Sequence, residues 1–181
     1  MQTDETLPTL RITNAIANFF VERGDACLRE FTLRTGRRVD IIAIGNGGEI
    51  TIVEVKSSRQ DFLSDRKWHE YPEWADRFYF AVADTFPRDI LPDADTCGII
   101  ITDGFDCLET QPAPESRLVT QRRTHLVRRI AHVAMRRLAF AGTGETPAPG
   151  EDTDFELLHR ITPDTGRGRA STSQGSVPSR T

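Results

Sequence analysis

The sequence predicts an α/β domain built on a mixed β-sheet flanked by helices. Three observations carry this expectation. Val39–Ile44 and Ile50–Val55 are β-branched runs, apolar on both faces, as central strands are. Gly45-Asn46-Gly47-Gly48 between them signals a hairpin. A helical stretch then separates the second run from Phe78–Val82, which implies a right-handed crossover to a parallel neighbour.

The elements follow in order. Thr9 to Arg23 reads as a helix, because Ile12, Ile16, Phe19 and Phe20 fall on one stripe and Gly24 supplies a stop. Cys27 to Leu33 reads as a strand turned by Thr35-Gly36, completing a three-strand meander with the two apolar runs. A second helix is expected from near Arg59, capped by Ser58 with Asp61, to a stop before Pro72. Phe78–Val82 and Gly98–Ile101 are expected buried strands, and residues 117–140 a basic amphipathic helix. The expected organisation is a flexible N-terminus over 1–8, one domain over 9–140, and a disordered Gly/Thr/Ser/Pro-rich tail over 141–181.

With 181 residues the chain is one domain of ordinary size, able to bury a real core. No apolar run approaches the ~18 residues that would span a bilayer. The polar, acidic stretch Met1–Pro8 does not read as a secretory signal. Cys27, Cys97 and Cys107, odd in number and widely spaced, fit reduced thiols in the cytoplasm better than a disulfide or zinc framework. The net charge of −4 hides an asymmetry, since residues 117–140 hold seven Arg and no acid.

The chemistry-bearing feature is a set of charges inside the two apolar runs: Asp40 in the first, Glu54 and Lys56 in the second. Unpaired buried ions cost several kcal/mol or more, so these groups must meet each other or a metal. Glu54 and Lys56 share a strand face. A three-residue loop of Asn46-Gly47-Gly48 places Asp40 directly opposite Glu54, so that all three side chains share one face. A two- or four-residue loop would reverse Asp40 unless a bulge corrected the register. Two adjacent carboxylates with a backbone carbonyl, that of Val55, make an all-oxygen set suited to Mg²⁺ or Mn²⁺. Lys56 is expected to orient or deprotonate an attacking water, or to neutralise charge on a phosphate. The competing reading is a purely structural Asp/Glu/Lys ion-pair cluster.

Val39-Asp40, thirteen intervening residues and Glu54-Val55-Lys56 resemble the core of the PD-(D/E)XK nuclease superfamily. The longer stretch from Arg37-Arg38-Val39-Asp40 through Glu54-Val55-Lys56-Ser57-Ser58 to Asp65-Arg66-Lys67-Trp68-His69-Glu70-Tyr71 is similar to MmcB-type bacterial DNA-repair proteins, over roughly residues 9–140. The resemblance implies a restriction-endonuclease-like fold, a divalent metal and a DNA-repair role. It maps Asp40 and Glu54 to the metal-binding acids and Lys56 to the motif lysine. It also implies a further carboxylate, for which Glu22 on the first helix and Glu30 on the first strand compete. RecB-like members carry Gln-x-x-x-Tyr after the lysine. Here Lys67-x-x-x-Tyr71 stands instead, an i, i+4 pair expected to share a helix face and reach a phosphate.

On a helical wheel Arg122, Arg129 and Arg136 stack at seven-residue spacing, with His125 and His132 between them. The opposite arc holds Val119, Leu126, Val127, Ile130, Val133, Ala134 and Leu138. The expectation is an outward basic stripe that fits duplex phosphates, with a solvated face or a dock for an acidic protein as the plainer alternatives. Arg34, Arg37 and Arg38 offer a second patch near Asp40, while Trp68 and Trp74 read as core. The function expected is a metal-dependent DNA endonuclease or processing factor in repair. The alternative is a non-cleaving DNA-binding or scaffold module of a repair complex. Oligomeric state and partner proteins are left open.

Overall fold

A computed structural model describes residues 6–141. Helix α1 (Thr6–Glu22) leads into strands β1 (Ala26–Thr32), β2 (Arg38–Ile44) and β3 (Ile50–Lys56). Then come α2 (Arg59–Ser64), single 3₁₀ turns at Trp68–Glu70 and Pro72–Trp74, and β4 (Arg77–Ala83). A further 3₁₀ turn at Arg88–Ile90 precedes β5 (Gly98–Thr102), β6 (Cys107–Gln111) and α3 (Thr120–Phe140). Thr6–Pro8, expected in the flexible N-terminus, belong to α1; residues 1–5 and the tail from 142 lie outside the described residues. Among the described helices none is long and apolar enough to cross a membrane.

The six strands lie in sequence order in one mixed sheet. β1, β2 and β3 form the antiparallel meander, β3, β4 and β5 run parallel, and β6 returns antiparallel at the edge. The predicted crossover from β3 to β4 is present. β6 was not expected from the sequence: its pattern Cys-Leu-Glu-Thr-Gln is half exposed, as an edge strand allows.

Each sheet face carries its own core. Ile12, Ile16 and Phe20 of α1 pack on Ile41, Val53, Val55 and Tyr79. On the other face Phe62, Trp68, Leu126 and Ile130 pack on Ile42, Ile52 and Phe80. Trp68 is a core residue as expected, parallel to Phe78 with ring centroids 6.1 Å apart.

Asp76 ties the second layer down. It accepts the N–H groups of Ile50 (2.8 Å) and Leu118 (2.9 Å) and a two-pronged grip from Arg123. That network holds its carboxyl below the usual range despite burial.

The rotation of α3 corrects the helical-wheel expectation. Arg129 is buried, its guanidinium 5.7 Å from the Phe31 ring, while Arg122 lies 4.8 Å from the Trp74 ring. Leu126, Ile130 and Val133 of the expected core side are buried, but Val119, Val127 and Leu138 are exposed instead. Arginine stems pack well on apolar surface, so spacing alone did not reveal which side faced in.

A candidate metal centre in the fork between two strands

The β2–β3 hairpin has the expected three-residue loop. Gly45 and Glu49 close it through a 2.9 Å backbone hydrogen bond, and Gly48 sits at φ +85, where only glycine is comfortable. The register runs Ile44↔Ile50 to Ile41↔Val53, which carries Asp40 opposite Glu54.

Pairing of β2 with β3 stops at Ile41↔Val53, although both strands continue. β2 stays with β1 as far as Arg38, and β3 stays with β4 as far as Lys56. The strands therefore fork at Asp40. Simple alternation fails there too: Val39 and Ile42, three residues apart, join the same core, whereas Ile41 and Ala43 join the other. Asp40 turns into the fork, and its Oδ2 accepts the Val55 N–H at 2.7 Å, standing in for the missing ladder bond. The three charges thus converge, by a splay of the sheet rather than by a shared pleat. Because a strand residue's N–H and C=O point to one edge, the Val55 carbonyl also looks into the fork.

Glu54 and Lys56 are 5% and 4% exposed. Glu54 Oε2 lies 3.7 Å from the Lys56 Nζ, and Glu54 Oε1 is buried with no hydrogen-bond partner. Burial, reinforced by repulsion from Asp40, pushes the Glu54 carboxyl up to about 8. Asp40 is also raised, chiefly by burial, against the pull of the Val55 N–H and Lys56.

A fourth side chain completes the cluster, and sequence reasoning gave it no role. Asp65, which ends α2 in an extended conformation, accepts a 2.5 Å hydrogen bond from Lys56. Burial works against the Lys56 ammonium, but Asp65 first and Glu54 second hold its affinity for the proton above the ordinary lysine value. Lys56 is therefore held as a cation between the two carboxylates. The signal for Asp65 was its place one turn beyond the Ser58/Asp61 cap. Ser58 Oγ does accept the Asp61 N–H, at 3.1 Å, and the helix it starts is short enough to return Asp65 to the lysine.

The fork suits a hard dication. An unpartnered carboxylate oxygen, a second carboxylate and a carbonyl make an all-oxygen donor set. Among the described residues no group of three or more His, Cys, Asp or Glu side chains gathers around one point. Water and a substrate oxygen would complete the coordination, as Mg²⁺ prefers.

A family model for MmcB-like DNA-repair proteins matches residues 2–144. The chain belongs to the MmcB-like DNA-repair family. It is similar to a protein of unknown function from Silicibacter pomeroyi, at 35% identity, over 82% of this chain and 100% of that one, with a TM-score of 0.71. Two slighter likenesses follow. One is to EndoMS in a complex with double-stranded DNA, at 20% identity, 41% of this chain, 36% of that one and TM-score 0.28. The other is to a repair endonuclease from Pyrococcus abyssi, at 16% identity, 50% of this chain, 39% of that one and TM-score 0.27. None of the curated proteins matches the chain.

The MmcB-like domain leaves several expected site residues outside the fork. Glu22 is exposed at the end of α1, on the sheet face opposite α2 and α3, and does not join the acids. Glu30 neighbours Asp40 in register, but is exposed at φ 50 and lies 3.8 Å from Arg38. Lys67 and Tyr71 do not share a helix face, because α2 ends at Ser64 and two 3₁₀ turns follow. Lys67 is exposed, whereas Tyr71 is buried. Burial, then the charges of Glu54, Asp65 and Asp40, raise the Tyr71 phenol above its ordinary value.

The basic patches are largely engaged. Arg37 makes a two-pronged contact with Glu70, at 3.1 and 3.0 Å. Arg34 is exposed on the β1–β2 turn. Arg122 pairs with Glu73, Arg129 is buried, and Arg136 is half-buried. The expected outward stripe on α3 is not formed.

Proposed function

We propose that this MmcB-like chain is a divalent-metal-dependent DNA nuclease acting in repair. Asp40, Glu54 and the Val55 carbonyl would hold Mg²⁺ or Mn²⁺. The observation that carries the reading is the buried Glu54 Oε1, left without a partner across the fork from Asp40. A carboxylate in that position is costly unless a cation joins it.

The bound ion would supply Lewis acidity and a template for a phosphodiester. The chain's own residues divide the remaining work. Asp40 keeps the fork open by taking the Val55 N–H. Asp65 fixes the Lys56 ammonium beside Glu54, where it can donate to a phosphate oxygen and offset developing negative charge. The likeness to EndoMS bound to DNA agrees with DNA as substrate without carrying the argument. A cytoplasmic setting agrees with three free thiols, Cys27, Cys97 and Cys107.

The non-cleaving alternative would depend on the Arg122/Arg129/Arg136 stripe, and those residues pack against the domain. The test is cleavage of duplex, nicked, flap and single-stranded DNA with Mg²⁺ or Mn²⁺. The wild type should cut at least one, while Asp40→Ala, Glu54→Gln and Lys56→Ala should each lose the activity and remain folded. Full activity in Asp40→Ala would overturn the assignment.

A further inference from the structure

We propose that a groove on the α1 side of the sheet, capped by Phe105 and Arg11, takes an unpaired nucleobase. The proposal rests on DNA being the substrate, but not on cleavage.

Three observations carry it. First, the β5–β6 turn is rigidly built to display an aromatic ring. Thr102 Oγ1 donates to the Asp106 carbonyl at 2.6 Å and accepts the Gly104 N–H at 2.9 Å. Asp103 Oδ1 accepts the N–H groups of Phe105 and Asp106 at 2.8 and 2.9 Å. On this pinned turn Phe105 stands 74% exposed. A lone exposed apolar residue needs no explanation; one held out by four hydrogen bonds beside a groove does.

Second, Arg11 is part of the same device. Its guanidinium lies 4.1 Å from the Phe105 ring centroid. Gly104, at φ +92, makes room for it, since a Cβ there would come within 2.6 Å of the Arg11 Nε. Together the ring and guanidinium give two flat surfaces able to stack a base.

Third, the groove's chemistry and place suit a base more than a phosphate. This open groove has a volume of about 800 Å³, and its largely apolar wall carries Asn14, Asn18, Asp84, Asp103 and the Arg11/Phe105 pair. Side-chain amides pair with base edges, while the two carboxylates repel a phosphate backbone. Lys56, Val82 and Ile101 stand side by side across β3, β4 and β5. Two strand spacings separate Ile101 from Lys56, about 10 Å, so the turn after Thr102 lies on the same sheet edge as the fork.

The test is metal-free equilibrium binding of the full chain to an oligo(dT) strand and to an abasic strand of equal length, which keeps the phosphates and lacks the bases. The wild type should prefer oligo(dT), and Phe105→Ala should lower that preference roughly five-fold or more. Arg11→Ala should lower it in the same direction, and Phe105→Trp should retain it. An unchanged melting temperature for Phe105→Ala would confirm that this exposed residue is not needed for folding. Equal wild-type affinity for the two strands, or no effect of Phe105→Ala, would overturn the proposal and leave the groove for a protein. A chain that binds DNA with base preference but does not cut would overturn the nuclease reading alone. A chain that binds no DNA would overturn both.

Discussion

Lys56 is held more closely by Asp65, nine residues further on, than by its strand neighbour Glu54: 2.5 Å against 3.7 Å. The lysine's charge is thus secured from outside the strand that carries it. Asp65→Asn keeps the side-chain size and an oxygen for the Lys67 N–H, now accepted at 2.8 Å, but removes the anion. The expected result is a cleavage rate lowered by about 10- to 100-fold, with metal affinity nearly unchanged. Steady-state kinetics beside a Mn²⁺ titration separate the two effects.

Glu54 gives a pH signature. Its carboxyl is about 8 in the folded chain, against the ordinary 4.5. Between those values the folded state holds a proton that the unfolded state has released, so this residue's contribution to stability is lost as pH rises. Glu54→Gln should therefore stabilise the metal-free protein, by an amount growing from pH 5 to 8 towards a ceiling of about 5 kcal/mol. Metal must displace the same proton, so wild-type affinity for Mg²⁺ should climb over that range. Thermal melts at several pH values, with and without Mg²⁺, check both statements.

The arginines of α3 should prove structural. Arg129→Ala is expected to lower stability by about 2–3 kcal/mol, through lost packing and an emptied site. It should leave the salt dependence of DNA binding unchanged. Lys67→Ala, at an exposed residue, should flatten the slope of log K against log salt by about 0.9 if it meets a phosphate. Urea unfolding and binding at several salt concentrations distinguish them.

Asp76 should be the costliest polar residue outside the fork. Asp76→Ala takes the acceptor from the N–H groups of Ile50 and Leu118 and the carboxylate from Arg123, which keeps the Gly48 carbonyl at 2.7 Å. A loss of about 3–5 kcal/mol is expected, read as a lower urea midpoint with an unchanged slope.

How much of this was legible in the sequence differs by element. The hairpin register was legible, because two glycines suited a three-residue loop with a left-handed position, and Gly48 occupies it. The fork was not, because alternation assumes that paired strands stay paired, and β2 leaves β3 at Asp40. Asp65 was hidden by expecting one helix up to Pro72, whereas α2 stops at Ser64. β6 was hidden by its polar, half-exposed pattern. α3 was placed correctly along the chain but rotated wrongly, since seven-residue spacing groups Arg122, Arg129 and Arg136 without saying which way they face.

The central claim is that the fork binds a hard dication through two strand carboxylates. Crystals of the wild type soaked in Mn²⁺ should show an anomalous peak between Asp40 and Glu54, in contact with both, and Glu54→Gln crystals should show none. A fork with no peak at saturating Mn²⁺, or a peak seated elsewhere in the domain, would contradict the account.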